Sequence, residues 1–420
     1  MLDYCNIPAD SMTDVIGTVQ ETNLRFLDER LKYHWCLGKN IILCWAVHKD
    51  GVQILLAPHY YLGNFSASLN DCSPPDRLDA LNGRFIRRLI SGSRQLSEDE
   101  FQGTARRFQL APEVIRLPVM LAKSNVVFDA VDQCVQRYSI NYVKSRAVML
   151  FDIVDFSLVS PFEQTSQLNS LSYSLNAASK KLLDRDININ FSRTTTGDGY
   201  YVWSRDPSPE GNANLFYFML LVLADNAISQ SQAVGNTVPH IRTGFHVGSH
   251  FEFYQVEGVN PGMNSYIVGD VTIELARMLD QAQPGQVFVG EMDTWLPTSG
   301  REGAYLVAVD SQNFVDRISR RSDFLNGLEV AGEHLEFIHC YLSGETGACA
   351  GQSVRRFRIT DKHGLCRDVY NLRINIRTSI GRSLILGTTA RDSQKQQVAG
   401  LASMSWSRAK PTTTAGRRDS

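Results

Sequence analysis

The sequence predicts an α+β fold, a single sheet covered by helices on one face, and three observations carry that expectation. Between about 144 and 291, short dense apolar runs alternate with longer stretches of helical spacing. Within that segment, Gly197-Asp198-Gly199 interrupts residues 188–203 as a tight turn interrupts two strands. The resulting order is strand, helix, hairpin, helix, strand, a βαββαβ arrangement with extensions. An N-terminal α/β region precedes it and a small β-rich region follows, which suits a chain of 420 residues divided into several cores.

The elements follow in order. A helix is expected over 14–31, then a hairpin in which 41–47 and 52–56 flank His48-Lys49-Asp50-Gly51. The polar stretch 66–76, with Pro74 and Pro75, reads as a loop. Residues 1–122 carry no chemical signature and form a region of unknown role. Val127, Val131, Val135 and Tyr138 recur at helical spacing, so 123–143 is expected to be a connecting helix. A core unit over 144–295 then holds strands at 146–153 and within 188–203, helices at 163–183 and 212–228, and strands at 240–248 and 266–268. A helix over 271–281 and a strand over 285–290 complete it. Residues 296–345 are a connector. Residues 346–392 form a small β-rich unit in which 354–360 and 368–376 flank Asp361-Lys362-His363-Gly364. The aperiodic run 393–420 is expected to be a disordered basic tail.

The 42 Lys and Arg nearly balance the 44 Asp and Glu, which argues against nucleic-acid binding by bulk charge. The charge is uneven, however. Residues 350–420 hold fourteen Lys and Arg and four Asp, a balance of +10, so the remainder carries −12. A segment of that kind is a solvated basic face or a contact surface for a phosphate-rich partner. The eight cysteines are scattered without a C-x-x-C, which argues against a disulfide framework or zinc finger and fits a reducing cytoplasm. The longest apolar run, 215–224, has ten residues, whereas a membrane span needs about 20, so it reads as a buried helix and no membrane partner is expected.

Three islands carry the chemistry. In Phe151-Asp152-Ile153-Val154-Asp155-Phe156-Ser157 an apolar strand ends in a carboxylate, and a divalent cation is one way to compensate such a charge. In Thr194-Thr195-Thr196-Gly197-Asp198-Gly199-Tyr200 the turn would bring Asp198 beside Asp152, the donor set of a two-metal phosphoryl-transfer site. The third island is Arg242-Thr243-Gly244-Phe245-His246-Val247-Gly248, followed by Gly269-Asp270 and Arg277. His246 and His250 lack the H-E-x-x-H helix of a zinc protease, and neither G-x-S-x-G nor a Walker motif occurs.

The succession F-D-I-x-x-F-S, G-D-G-Y, R-x-G-x-H-x-G, G-D with A-R seven residues on, and P-G-Q-V resembles the class III nucleotidyl cyclases over roughly 146–291. The resemblance implies their ferredoxin-like palm. It also implies that Asp152, Asp198 and the carbonyl of Ile153 bind two Mn²⁺ or Mg²⁺ ions, that amides near Phe156 and Ser157 cradle phosphates, and that Arg277 stabilises charge on the α-phosphate. Family sites are shared between two paired domains, so a homodimer is implied.

Departures bear on the substrate. Adenylate cyclases carry a Lys where this chain has Thr194 and an Asp where it has Tyr266, and the Asn that accompanies the arginine is Ile273 here. The late phosphate-binding Lys of the family has no counterpart between 290 and 350. Arg193 offers donors only, which suits a base edge bearing acceptors. The run Arg193-Thr194-Thr195-Thr196-Gly197-Asp198 resembles the uridylate branch of the pyrimidine cyclases in the bacterial Pycsar anti-phage systems. The implied reaction is UTP to 3′,5′-cyclic UMP and diphosphate, with the product read by a separate effector protein and Tyr142 a candidate to stack on the base. The run Arg358-Ile359-Thr360-Asp361-Lys362-His363-Gly364, with Tyr370 and Asn371, resembles the sensor domains behind cyclases in defence operons, where a phage-derived trigger would bind. The alternatives are a guanylate or adenylate cyclase and a catalytically degenerate nucleotide-binding dimer.

Overall fold

The computed structural model describes residues 16–36, 40–67, 75–257, 262–300, 303–346, 352–360, 364 and 366–387. The expected tail 393–420 and most of the turn 361–364 lie outside them.

The N-terminal region begins with α1 (Thr18–Cys36), β1 (Asn40–His48), β2 (Gly51–Pro58), α2 (Tyr61–Ala67), α3 (Pro75–Leu89), α4 (Glu98–Phe108) and β3 (Pro112–Arg116). The three strands form one antiparallel sheet with β2 in the centre. The adjacent residues Ile42 and Leu43 of β1 face opposite ways. Ile42 packs with Leu27, Leu31 and Val131, while Leu43 packs with Leu55, Phe101 and Phe108. The expected hairpin is present, with His48 opposite Gly51. Helix α5 (Asn125–Gln136) is capped by Ser124 and leads into β4 (Asn141–Ile153). Residues 141–143 therefore belong to the strand and not to the connecting helix, because Tyr142 and Val143 pair with Phe251 and His250.

The core unit continues through α6 (Pro161–Leu183), β5 (Phe191–Thr195), β6 (Gly199–Ser204), α7 (Pro209–Gln232), β7 (Ile241–Glu257), β8 (Gly262–Val268), α8 (Asp270–Asp280) and β9 (Val287–Gly290). Strand β4 lies between β6 and β7, and β5 closes one edge beside β6. The expected covering of one face becomes a covering of both. Ala147, Met149, Phe151 and Ile153 pack under α6 and α7 with Leu171, Leu175, Phe216 and Met219. Val148 and Leu150 point the other way and pack with Trp203, Val271, Leu275 and Met278, under α8. Strand β4 is apolar on both sides, and a strand of that kind needs two covers. The apolar run of α7 is buried throughout, from Leu215 to Ala224. No described helix is long and apolar enough to cross a membrane.

The chain then forms a hairpin of β10 (Asp293–Gly300) and β11 (Gly303–Asp310), followed by α9 (Ser311–Arg320), β12 (Glu329–Val330), β13 (Glu333–Leu342), β14 (Gly344–Thr346), β15 (Gln352–Val354), β16 (Arg356–Thr360), β17 (Cys366–Thr378) and β18 (Ser383–Leu386). Strand β17 pairs with β16 as the sequence suggests, and also with β9 and β13. The central sheet thus runs β12-β13-β17-β9-β7-β4-β6-β5. Of the stretches expected as a connector (296–345) and a sensor-like unit (346–392), β12, β13, β16, β17 and β18 extend this sheet, while β10 with β11 and β14 with β15 form two-stranded sheets of their own. The reason is visible in β17: Val369, Leu372, Ile374 and Ile376 are buried, and the strand needs neighbours on both sides.

Candidate active site

Asp152 is the penultimate residue of β4, level with Gly199 of β6 and Arg242 of β7. The next position toward the turn is Asp198. Its carbonyl accepts a hydrogen bond from the Ile153 amide at 2.9 Å, which pins the hairpin tip to the end of β4. Two glycines permit this. Gly197 adopts φ +102°, and a Cβ at residue 199 would overlap the carbonyl oxygen of Phe151. The Asp198 carboxylate accepts from Thr196 Oγ1 at 3.1 Å. The sequence-predicted pair is therefore assembled by backbone pairing.

Arg242 is the residue whose part the sequence did not disclose. Its Nε donates to Asp152 Oδ2 at 2.6 Å, and its Nη1 donates to the carbonyl of Ala282 at 3.2 Å, just beyond α8. The Asp152 side chain is 16% exposed. Burial pushes its carboxyl above the ordinary range, Arg242 opposes this, and the charges of Asp198 and Asp280 add to the rise. The alternation of β7 was the available signal: Arg242, Gly244, His246 and Gly248 share the face on which α8 packs.

A second network fixes α8 from the other side. Glu274 accepts from His246 Nε2 at 2.5 Å and from Arg367 Nη1 on β17. Burial alone would raise the Glu274 carboxyl, but these two partners outweigh it and hold it below its usual range. Arg277, one turn further on, makes an ion pair with Asp280 at 3.3 Å. It shares a helix side with Ile273 and Asp280, away from the buried row Val271, Leu275 and Met278.

Other expected residues fall in different places. Thr194 stands opposite Tyr201, which packs on the α8 face, so Thr194 shares the face of Asp152. Arg193 stands opposite Val202, which packs under α7, and its guanidinium lies 5.4 Å from the Tyr200 ring centroid. Arg193 is thus on the face away from Asp152, a consequence of the period-two alternation of a strand. Tyr266 on β8 stacks on Phe253 at 5.9 Å, and β8 comes within contact of β5. Tyr142 is the second residue of β4, ten residues before Asp152 and about 33 Å away at ~3.3 Å per residue, beside Phe251. It does not join the pair within the chain. Phe156 and Ser157 lie in a separate 3-10 turn opened by Asp155 at φ 55°, not at the start of α6, which Ser160 caps.

Asp152 and Asp198 present hard oxygen ligands, and among the described residues no group of three or more His, Cys, Asp or Glu could hold a metal. The donor set fits Mg²⁺ or Mn²⁺, which bind through one or two carboxylates and complete their shell with substrate phosphates and water.

No family model and no curated protein matches the chain. Solved structures do resemble it. The guanylate cyclase domain of RhGC from Catenaria anguillulae in complex with GTP is 17% identical, with 41% of this chain and 98% of that chain covered and a TM-score of 0.28. The monomeric guanylyl cyclase domain of the RhoGC fusion protein from Blastocladiella emersonii is 19% identical over 41% and 99%, with a TM-score of 0.28. The adenylyl cyclase CyaB from P. aeruginosa is 14% identical over 56% and 95%, with a TM-score of 0.32. At this level of likeness, the chemistry of the chain rests on its own residues.

Proposed function

We propose that the protein is a metal-dependent nucleotide cyclase, with UTP as substrate and 3′,5′-cyclic UMP and diphosphate as products. The observation that carries the reading is the convergence of Asp152 and Asp198 at the ends of neighbouring strands, level with Arg242 and beside the end of the helix that bears Arg277. Asp152, Asp198 and the carbonyl of Ile153 would hold the cations. Mg²⁺ or Mn²⁺, when bound, supplies charge that acidifies the ribose 3′-hydroxyl and neutralises the departing diphosphate.

The chain's own residues do the rest by position and charge. Arg242 holds the Asp152 carboxylate in one orientation and leaves Oδ1 for the cation. The turn at Phe156 and Ser157 offers amides to the phosphates. Arg277 counters charge on the α-phosphate, and its place on the outward side of α8 suits delivery to the site of a second copy in a homodimer. Thr194, on the site face, is the residue the base edge meets; the uridine preference rests on the resemblance of the run 193–198 to the uridylate branch and on the absence of the adenine-reading Lys and Asp, and not on a contact from Arg193, which faces away. Cyclic UMP would act as a messenger in anti-phage defence, read by a separate effector.

The test is incubation with Mn²⁺ and each of the four nucleoside triphosphates, with the products resolved by mass. Cyclic UMP is expected, and Asp198→Ala reduces it at least a thousandfold. Cyclic GMP or AMP instead would move the substrate to a purine. Absence of product with all four would favour a degenerate nucleotide-binding dimer, the reading to which Ile273 lends weight.

A further inference from the structure

A second cleft, of about 900 Å³, opens at the opposite end of β4, between α5 of the N-terminal region and the start of the central sheet. Ordinary small-molecule sites occupy ~300–1,000 Å³ and favour such junctions. From its lining we infer that this cleft binds an organic phosphate of nucleotide size, at a site separate from the Asp152–Asp198 pair.

Three observations support the assignment. The first is charge. Arg137, Lys144, Arg146 and Arg205 line the cleft, together with Asp129, Asp132 and Glu252. Two of those acids are spent inside the protein. Asp132 accepts from Trp45 Nε1, the Arg94 amide and Gln136 Nε2, while Glu252 accepts from Arg146 Nη1 and Trp203 Nε1. Arg146 is in turn paired with Glu252 and Arg137 with Asp28, while the buried Arg94 lies behind Asp132, so the cations the cleft offers a ligand are Lys144 and Arg205, against the single carboxylate of Asp129.

The second is backbone. The pairing of β4 with β7 skips Lys144 and Ser145, and the pairing with β6 begins only at Val148. Two consecutive residues inside a long strand thus stand outside both ladders, at the cleft wall. Bulges of this kind cluster beside binding sites, where they re-aim side chains and free backbone donors.

The third is rigidity. Arg94 is fully buried beneath the cleft and donates to the carbonyls of Leu89, Ile90 and Ile140 and to Asn141 Oδ1. Arg146 is buried as well. The walls are held in place before any ligand arrives. The rest of the lining includes Tyr142 and Tyr254, which give a flat ring something to lie against. A phosphate meets Lys144 and Arg205, and the organic body meets the aromatic side. Tyr142 is then a ligand contact of this cleft. Because the cleft joins α5 to the strand that carries Asp152, occupancy there ties the N-terminal region to the central sheet.

The experiment is equilibrium dialysis of the full chain against AMP, GMP, CMP and UMP in EDTA, which disables a metal-dependent site. Saturable binding of at least one, near one per chain, is expected. Lys144→Glu combined with Arg205→Glu weakens it at least tenfold, and Asp198→Ala leaves it unchanged. Lys144→Gln alone, a milder change at an exposed side chain, gives a smaller loss and guards against misfolding of the double variant. Absence of saturable binding for all four, binding indifferent to the lysine and arginine changes, or binding lost in Asp198→Ala would each overturn the assignment. The site stands independently of the cyclase reading, since none of its residues belongs to the carboxylate pair.

Discussion

Arg242 bears on Asp152 more directly than any other described side chain. Its guanidinium lies 2.6 Å from Oδ2 and opposes the rise that burial imposes on this carboxyl, so it favours the charged form that a cation needs. A neutral carboxyl is a poor cation ligand. Arg242→Ala is therefore expected to lower turnover by about 10- to 100-fold and to raise the Mn²⁺ concentration needed for half-maximal activity, the usual scale for loss of a partner that orients a ligand. A metal titration of the variant checks it, and an unchanged half-saturation point would show that the ion pair does not orient the ligand. The motif R-x-G-x-H-x-G exposed Arg242 to view in the sequence. Its partner was not legible, because the partner sits 90 residues away and is chosen by strand register. The same rule decides Arg193: adjacent residues of a strand face opposite ways, and only the register against β6 shows that Thr194, not Arg193, faces the site.

The β5–β6 hairpin is the element on which the site depends. Its tip carries Asp198, its backbone binds the Ile153 amide, and Gly199, the first residue of β6, admits no side chain against Phe151. Gly199→Ala is expected to force β6 away from β4, with a stability loss of about 3 kcal/mol, the upper range for overpacking, and loss of activity beyond what the lower stability explains. Urea denaturation beside an assay well below the midpoint separates the two effects. Gly-Asp-Gly marked this turn in the sequence, since a glycine-flanked carboxylate between two apolar runs leaves few other readings. Helix α8 was equally visible as a helix. Its clamping by Glu274 to His246 on one strand and Arg367 on another was not, because no local pattern links residues 93 positions apart.

For the whole molecule, two predictions follow from how the strands are shared. Strand β17 lies between β13 and β9, inside the central sheet. Removing residues 346–420 would strip the edge of β9 and uncover the apolar side chains packed beneath it, so the shortened chain is expected to be insoluble or to melt without a cooperative transition. A chain of residues 1–345 that melts like the full protein would mean that the C-terminal strands form a separable unit after all. The second concerns pairing of copies. If Arg277 serves a partner's carboxylates, Asp198→Ala and Arg277→Ala, each inactive alone, regain roughly a quarter of full activity when mixed and re-paired at random, since half the dimers then carry one intact site of two. Activity that stays absent on mixing would place all three residues in one chain's site. The sequence by itself determined the order of elements between 146 and 290, the hairpin that carries Asp198 and the buried ten-residue run of α7. Each of these is a local matter of spacing, turn chemistry or apolar density. The tertiary structure alone decided which face each strand residue presents, the capture of Asp152 by Arg242, the second cover over the sheet and the absorption of the C-terminal strands. Those depend on register and on neighbours far along the chain, where one residue of shift exchanges the two faces of a strand.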